Sequence, residues 1–121
     1  MKYGLIGCGR IATNHVKAVL NNGLEFVATC DVDLENIDVL LSKHNLEKDV
    51  SIKRYTDYKE MIKNHSDLEL IAIATPSGNH AEIALYCIEH GINVIIEKPM
   101  AMNIDDAEKI NYFVQWNDMV L

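Results

Sequence analysis

The sequence predicts an α/β domain in which helices cover both faces of a doubly wound parallel sheet. Short apolar runs alternate with amphipathic stretches along the whole chain, and this alternation is typical of βαβ units. Two of the runs, residues 70–74 and 93–96, are apolar on both faces, as expected of central parallel strands. Because crossovers between parallel strands are right-handed, few topologies remain, and the strand order 3-2-1-4-5-6 is favoured.

Five strands are predicted from the apolar runs. Each run is short and contains β-branched or aromatic residues, which favour strands. The predicted strands cover residues 3–6, 26–30, 52–55, 70–74 and 93–96. The last three residues, Met119, Val120 and Leu121, have the composition of a sixth strand at its beginning.

Five helices are predicted between and after these strands, and residues at their ends carry capping signals. Asp33 and Asp57 precede two of the helices as N-cap residues, and Glu60 follows Asp57 at the spacing of a capping box. Gly23 and Gly91 stand where a helix is expected to terminate. The predicted helices cover residues 11–21, 34–44, 58–64, 78–90 and 104–116.

Composition and charge limit the classes of partner. The chain has 121 residues, 49% of them hydrophobic and 24% charged, as in one globular domain. A net charge of −7 disfavours sequence-independent binding to nucleic acid, although a helix N-terminus can still hold a phosphate group. No apolar run approaches the ~20 residues of a membrane span, and Met1 leads directly into a predicted strand without a signal peptide. We therefore expect a cytoplasmic protein that binds neither nucleic acid nor membrane.

The cysteines and histidines do not predict a metal site. Cys8, Cys30 and Cys87 are odd in number and lack C-x-x-C spacing, so we expect reduced thiols packed as small apolar side chains. Four histidines also lack metal-ligand spacing and are expected to be solvated helix residues; they are His15, His44, His65 and His90.

A glycine-rich loop follows the first predicted strand. In the string GCGRIA, Gly7 permits a tight turn, Gly9 lets the backbone approach a pyrophosphate, and Ala12 is small enough for close helix packing. Arg10 and Ile11 belong to the same loop. The G-x-G-x-x-A string is weak evidence in isolation, but its place between a strand and a helix favours a dinucleotide site over an ordinary turn.

Asp31 stands at the end of the second predicted strand, 22 residues beyond Gly9. A carboxylate at this position can accept both hydroxyls of an adenosine ribose, and it would repel a 2′-phosphate. No Arg follows closely, so NAD is favoured over NADP. The alternative is that Asp31 and Asp33 both cap the second helix; we expect Asp33 to do so and Asp31 to bind the ribose.

Two further segments follow the fourth and fifth predicted strands. The first is ATPSGNH, residues 74–80, and the second is Glu97-Lys98-Pro99. Lys98 follows the carboxyl end of a central strand, where open α/β sheets collect their ligands. An ammonium there can stabilise a developing alkoxide, whereas the alternative is a surface lysine paired with Glu97.

Together these segments resemble the glucose–fructose oxidoreductase, inositol dehydrogenase and rhizopine-catabolism family, known as Gfo/Idh/MocA. The resemblance covers essentially the whole chain. It rests on the strings GLIGCGRIATNH, CDVD, YTDYKEMI and IAIATPSGNHAEIALYCIEHGINVIIEKPMAMNIDDA.

The resemblance implies an N-terminal Rossmann domain that binds NAD or NADP and a C-terminal α/β domain that supplies the substrate pocket. Such enzymes pass a hydride between a hydroxyl carbon of a sugar, cyclitol or related compound and the nicotinamide. Lys98 would then be the catalytic residue beside the substrate hydroxyl, with an Asp/His partner from the C-terminal half. The TPSG string also resembles members that act on nucleotide-linked amino sugars. Several residues would lie along the cofactor: Thr75, Pro76, Asn79, His80 and Glu97. For His80, a helix-start hydrogen bond is an equal alternative.

On this basis residues 1–121 are predicted to be the dinucleotide-binding domain, with the substrate domain missing and no turnover of its own. The alternative is a non-catalytic dinucleotide-sensing or interaction module, which the presence of Lys98 disfavours. An incomplete sixth strand would leave the sheet edge beside the fifth strand open, and unpaired edges favour self-association, which sedimentation would detect.

Overall fold

The computed structural model describes residues 1–9, 12–75 and 80–96, and it contains a five-stranded parallel sheet. The strands are β1 (Lys2–Ile6), β2 (Glu25–Cys30), β3 (Lys53–Tyr55), β4 (Leu70–Ile73) and β5 (Asn93–Ile96). The helices are α1 (Ala12–Asn21), α2 (Leu34–Lys43), α3 (Tyr58–Asn64) and α4 (His80–Glu89). The predicted helix over residues 104–116 and the sixth strand lie outside the described residues.

The strand order is β3-β2-β1-β4-β5, which confirms the predicted doubly wound sheet over the described strands. β1 is central and pairs in parallel with β2 on one side and β4 on the other. The chain first winds outward to β3 and then crosses back to β4, so the winding direction reverses between β1 and β4. In open α/β sheets this reversal opens a crevice at the carboxyl ends of the strands.

Helices pack on both faces of the sheet, which explains why β4 is apolar along its whole length. Leu70 and Ala72 belong to the core that β4 shares with α1 and α2, whereas Ile71 and Ile73 belong to the core shared with α3 and α4. All four side chains are buried, as successive residues of a covered strand must be.

The two predicted N-cap residues are confirmed. The Asp33 carboxylate accepts a hydrogen bond from the Glu35 N–H at 3.0 Å, and the Asp57 carboxylate accepts one from the Lys59 N–H at 2.9 Å. Each aspartate thereby satisfies an N–H group that the first helical turn leaves without a partner.

Several of the described element ends differ from the predicted ones by one residue. Ile52 does not join β3, because its N–H donates to Asp49 in the preceding turn. His44 is the C-cap of α2 instead of its last residue. Across the described ranges, no helix has the length and apolar character needed to cross a membrane.

The prediction of four solvated histidines was wrong for three of them. His15, His44 and His65 are half-buried, and only His90 is exposed. Nε2 of His65 lies 2.8 Å from the Tyr55 hydroxyl, and the His65 ring packs edge-on against the Tyr55 ring. Burial lowers the pKa of His44, and the nearby charges of Lys17 and Lys43 lower it further. Helical spacing did not reveal these contacts because they depend on neighbouring elements.

The three cysteines are free and buried, as predicted. Burial raises the pKa of Cys8, Cys30 and Cys87 from 9.0 to about 12. At pH 8 only about one folded thiol in 10⁴ is then ionised, and the thiolate is the reactive form. We expect an aromatic disulfide reagent to label the folded chain no faster than the chain unfolds.

The same shift has a consequence for stability. Because the unfolded thiols ionise at a lower pH than the folded ones, their contribution to stability is complete below about pH 9 and is lost as the pH rises further. Labelling at pH 8 with and without urea checks the reactivity, and urea denaturation at several pH values checks the stability. Rapid labelling of the folded chain would contradict the prediction.

Candidate functional site

A cavity of about 680 Å³ opens at the carboxyl edge of the sheet. Its lining includes residues 6–9 from the end of β1 onward, residues 30–32 from the end of β2 onward, and residues 74–75 after β4. The cavity therefore lies at the reversal point between β1 and β4, where the sequence predicts a ligand. Gly7, Gly9, Asp31 and Thr75, four of the predicted site residues, line it together.

Gly7 brings the loop after β1 against the backbone after β4. Its φ is +95°, and a Cβ at this position would lie 2.6 Å from the carbonyl carbon of Ala74 and from the nitrogen of Thr75. The Gly7 N–H also donates to the carbonyl of Cys30 at 2.8 Å. Glycine is therefore required here by both conformation and space, and the close approach to β4 is a constraint that the motif did not predict.

Gly9 has different surroundings. Within the described part of the chain, a Cβ built on Gly9 meets nothing within 4 Å apart from its chain neighbours, and the residue is exposed at the cavity. Its carbonyl accepts a hydrogen bond from the Ala12 N–H at 3.1 Å, which leads the chain into α1. The space beside Gly9 is therefore open to a ligand.

The first turn of α1 carries no acidic side chain. Among the described helices, α1 has no acidic residue in its first turn, whereas α2, α3 and α4 each have one. A helix N-terminus carries partial positive charge and attracts anions. An anion beside Gly9 would therefore meet no carboxylate from the first turn of α1.

Asp31 is half-buried, and three donors hold its carboxylate. Oδ2 accepts from the Cys8 N–H at 2.9 Å, and Oδ1 accepts from the Asp33 N–H at 2.9 Å. Oδ1 also accepts from Nδ2 of Asn36 at 3.3 Å. Asp31 thus joins the glycine loop to the start of α2 while it lines the cavity.

A buried polar contact supports the glycine loop from below. The Cys8 thiol lies 3.1 Å from the Thr29 hydroxyl, and that hydroxyl donates to the Leu5 carbonyl at 3.2 Å. Thr29 is fully buried. The loop backbone is therefore fixed both by Asp31 and by the interior of the sheet.

Several lining residues were not predicted, among them Asn36, Thr56, Tyr58 and Glu82. Burial raises the pKa of Tyr58 to about 12, and the Glu82 carboxylate adds to the shift. The phenol is therefore neutral at physiological pH. Thr56, Tyr58 and Glu82 lie in strings that carry the family resemblance, but the sequence assigned them no role. Asn36 stands three residues after the N-cap Asp33, where a side chain can turn back toward the preceding strand.

The other predicted site residues contribute less to the described geometry. Thr75 is half-buried at the cavity, and α4 begins at His80. The remaining six lie outside the described residues; they are Arg10, Ile11, Pro76, Asn79, Glu97 and Lys98. Within the described part of the chain, no three His, Cys, Asp or Glu side chains are grouped to hold a metal ion.

Comparison with known proteins agrees with this geometry. Residues 1–120 match the family model of an oxidoreductase family with an NAD-binding Rossmann fold. The chain is 30% identical over 112 residues to inositol 2-dehydrogenase of Salmonella typhimurium, covering 91% of this chain and 32% of that protein. It is 33% identical over 110 residues to glycosyl hydrolase family 109 protein 1 of Bacteroides fragilis, covering 88% of this chain and 24% of that protein.

A solved structure provides a third comparison. The WlbA dehydrogenase of Bordetella pertussis, in complex with NADH and UDP-GlcNAcA, matches with a TM-score of 0.83 and 26% identity. The match covers 100% of this chain and 34% of that one. The chain thus spans about a third of the length of the inositol 2-dehydrogenase and of this dehydrogenase.

Proposed function

We propose, from the premise that this chain belongs to the Gfo/Idh/MocA oxidoreductase family, that its cavity binds NAD(H) for hydride transfer. The other reactant would be a hydroxyl-bearing carbon of a sugar, cyclitol or nucleotide sugar. The observation that carries the proposal is the cavity itself, where an open Gly9 and the Asp31 carboxylate lie at the reversal point of the sheet.

The residues around the cavity fit the two polar parts of the adenosine half. The pyrophosphate would lie beside Gly9 at the start of α1, where no first-turn carboxylate repels it. The ribose would lie at Asp31, whose Oδ2 accepts only one hydrogen bond among the described residues. A carboxylate oxygen can accept about two, so a ribose hydroxyl has a place to donate.

This arrangement predicts a preference for NAD over NADP. A 2′-phosphate at the ribose would meet the Asp31 carboxylate with like charge, and we expect NADP to bind at least about tenfold more weakly, roughly 1.4 kcal/mol. Asp31→Asn should reduce the preference. Asp33→Asn removes the same charge from a side chain that lies two residues further along the chain and does not line the cavity. This control variant should leave the preference for NAD nearly intact. Calorimetric titration of both cofactors checks this, and equal affinities in the wild type would contradict it.

Lys98 is the residue that we propose to handle the proton. β5 runs parallel to β4, so its carboxyl end lies on the edge of the sheet that carries the cavity, and Lys98 follows two residues after Ile96. Bound NAD would supply the hydride acceptor. As the hydride leaves the carbon, the hydroxyl proton must also leave: the Lys98 ammonium would stabilise the developing alkoxide, or the neutral Lys98 amine would accept the proton. General acid–base help of this kind contributes about 10²–10⁴-fold in enzymes that use such groups.

Two relatives support the proposed substrate class. One is an inositol 2-dehydrogenase, and the other is a dehydrogenase whose structure holds UDP-GlcNAcA with NADH. The compound named for each of them, inositol or UDP-GlcNAcA, contains a ring that bears hydroxyl groups. The same class is therefore proposed for the protein to which this domain contributes its cofactor site.

We expect the 121 residues by themselves to bind NADH without turnover. Hydride transfer needs the substrate carbon held about 3–3.5 Å from the nicotinamide, and this positioning supplies much of the rate. The chain spans about a third of its dehydrogenase relatives, so most of their residues have no counterpart in it. A panel of cyclitols, sugars and UDP-sugars, followed by NADH absorbance, tests the expectation. Turnover that depends on Lys98 would contradict it.

A further inference from the structure

We propose that Asn36 is a second ribose-binding residue of the cofactor site, sharing the adenosine ribose with Asp31. The inference rests on the proposed NAD function. It assigns a cofactor contact to a residue that lies outside the glycine-rich loop and is distinct from Asp31.

The position of Asn36 brings its amide to the cavity. Asn36 is the third residue of α2, and its N–H donates to the carbonyl of the N-cap Asp33 at 3.1 Å. Its side chain turns back to the end of β2, where Nδ2 donates to Oδ1 of Asp31 at 3.3 Å. Asn36 lines both the main cavity and an adjoining one of about 230 Å³, which also reaches Gly9.

The hydrogen-bond capacity of the Asp31 carboxylate explains why a second residue is needed. A carboxylate has about four lone-pair positions, and among the described residues Cys8, Asp33 and Asn36 take three of them. A ribose presents two hydroxyls, each of which can donate. One of them fits the remaining position on Oδ2, and the other requires one of the present donors to leave.

Asn36 is the donor that can leave. The other two bonds come from backbone N–H groups at 2.9 Å, and these groups are fixed by the loop after β1 and the turn before α2. The Asn36 bond is the longest of the three, and it comes from an exposed side chain instead of the main chain. Its amide both donates and accepts, so once turned it can bond the second hydroxyl through either atom.

The test uses NAD and two analogues that lack either the 2′- or the 3′-hydroxyl of the adenosine ribose. Asn36→Ala should weaken NAD binding by about fivefold, in line with one neutral hydrogen bond. The loss should disappear for one analogue and remain for the other. Asn64→Ala, the same substitution at the exposed end of α3 and away from the cavity, should bind all three as the wild type does.

Three results would overturn the proposal: unchanged NAD affinity in Asn36→Ala, tighter binding, or an equal loss for NAD and both analogues. An equal loss would mean that Asn36 acts on the cofactor only by holding Asp31. Failure of the proposed function is a separate result, because then the folded wild-type chain would not bind NAD at all. Thermal unfolding of each variant confirms that all are folded.

Discussion

Replacing Gly9 with valine is expected to abolish NAD binding while leaving the fold intact. The valine side chain would occupy the open space at the start of α1, where the pyrophosphate is proposed to lie. We expect the Kd for NAD to rise by at least about 100-fold, roughly 2.7 kcal/mol. A Cβ at Gly9 meets no atom within 4 Å among the described residues beyond its chain neighbours, so the free energy of unfolding should change by less than about 1 kcal/mol.

Calorimetry with NAD and urea denaturation of the same variant separate the two effects. Gly9→Ala serves as a graded control, since its smaller side chain should reduce affinity less than valine does. NAD affinity within threefold of the wild type in Gly9→Val would show that the pyrophosphate does not lie beside this residue. Loss of folding would show instead that Gly9 has a structural role that its open surroundings do not indicate.

Replacing Gly7 with alanine is expected to have the opposite effect, a large loss of stability. At a φ of +95° a side chain is strained, which costs about 1–2 kcal/mol. The new Cβ would also lie 2.6 Å from main-chain atoms of Ala74 and Thr75, and displacing this packed backbone costs about 1–3 kcal/mol more. A total of about 2–5 kcal/mol is a large part of the 5–15 kcal/mol typical of a domain.

Urea denaturation of Gly7→Ala and Gly9→Ala gives the direct comparison, because the two variants carry the same change two positions apart. The midpoint should fall markedly for Gly7→Ala and hardly at all for Gly9→Ala. Equal midpoints would contradict the close approach of the loop after β1 to the end of β4.

The sheet topology was predictable because it depends on local patterns. The unbroken apolar run of β4 predicted a central strand, and its side chains are buried on both faces. Asp33 and Asp57 marked the starts of α2 and α3. Right-handed crossovers then left few strand orders. The partner of His65 was not predictable, because Tyr55 reaches it from a different element.

The residues that line the cavity were predictable only in part. The spacing of Gly9 and Asp31 predicted that the two residues belong to one site, and both line the cavity. The contact of Gly7 with the backbone of residues 74–75 and the bond from the Cys8 N–H to Asp31 arise only when three strands meet at one edge. Such contacts depend on tertiary geometry that a motif does not encode.

The central claim is that NAD binds at the carboxyl edge of the sheet, and NMR titration of the ¹⁵N-labelled chain tests it most directly. NAD should shift the amide signals of Gly7, Cys8, Gly9 and Asp31 in a saturable way. The amide of Glu69, at the opposite edge of the sheet where its N–H donates to Lys2, should stay in place. Absence of saturable shifts at millimolar NAD, or shifts centred on Glu69, would contradict the claim.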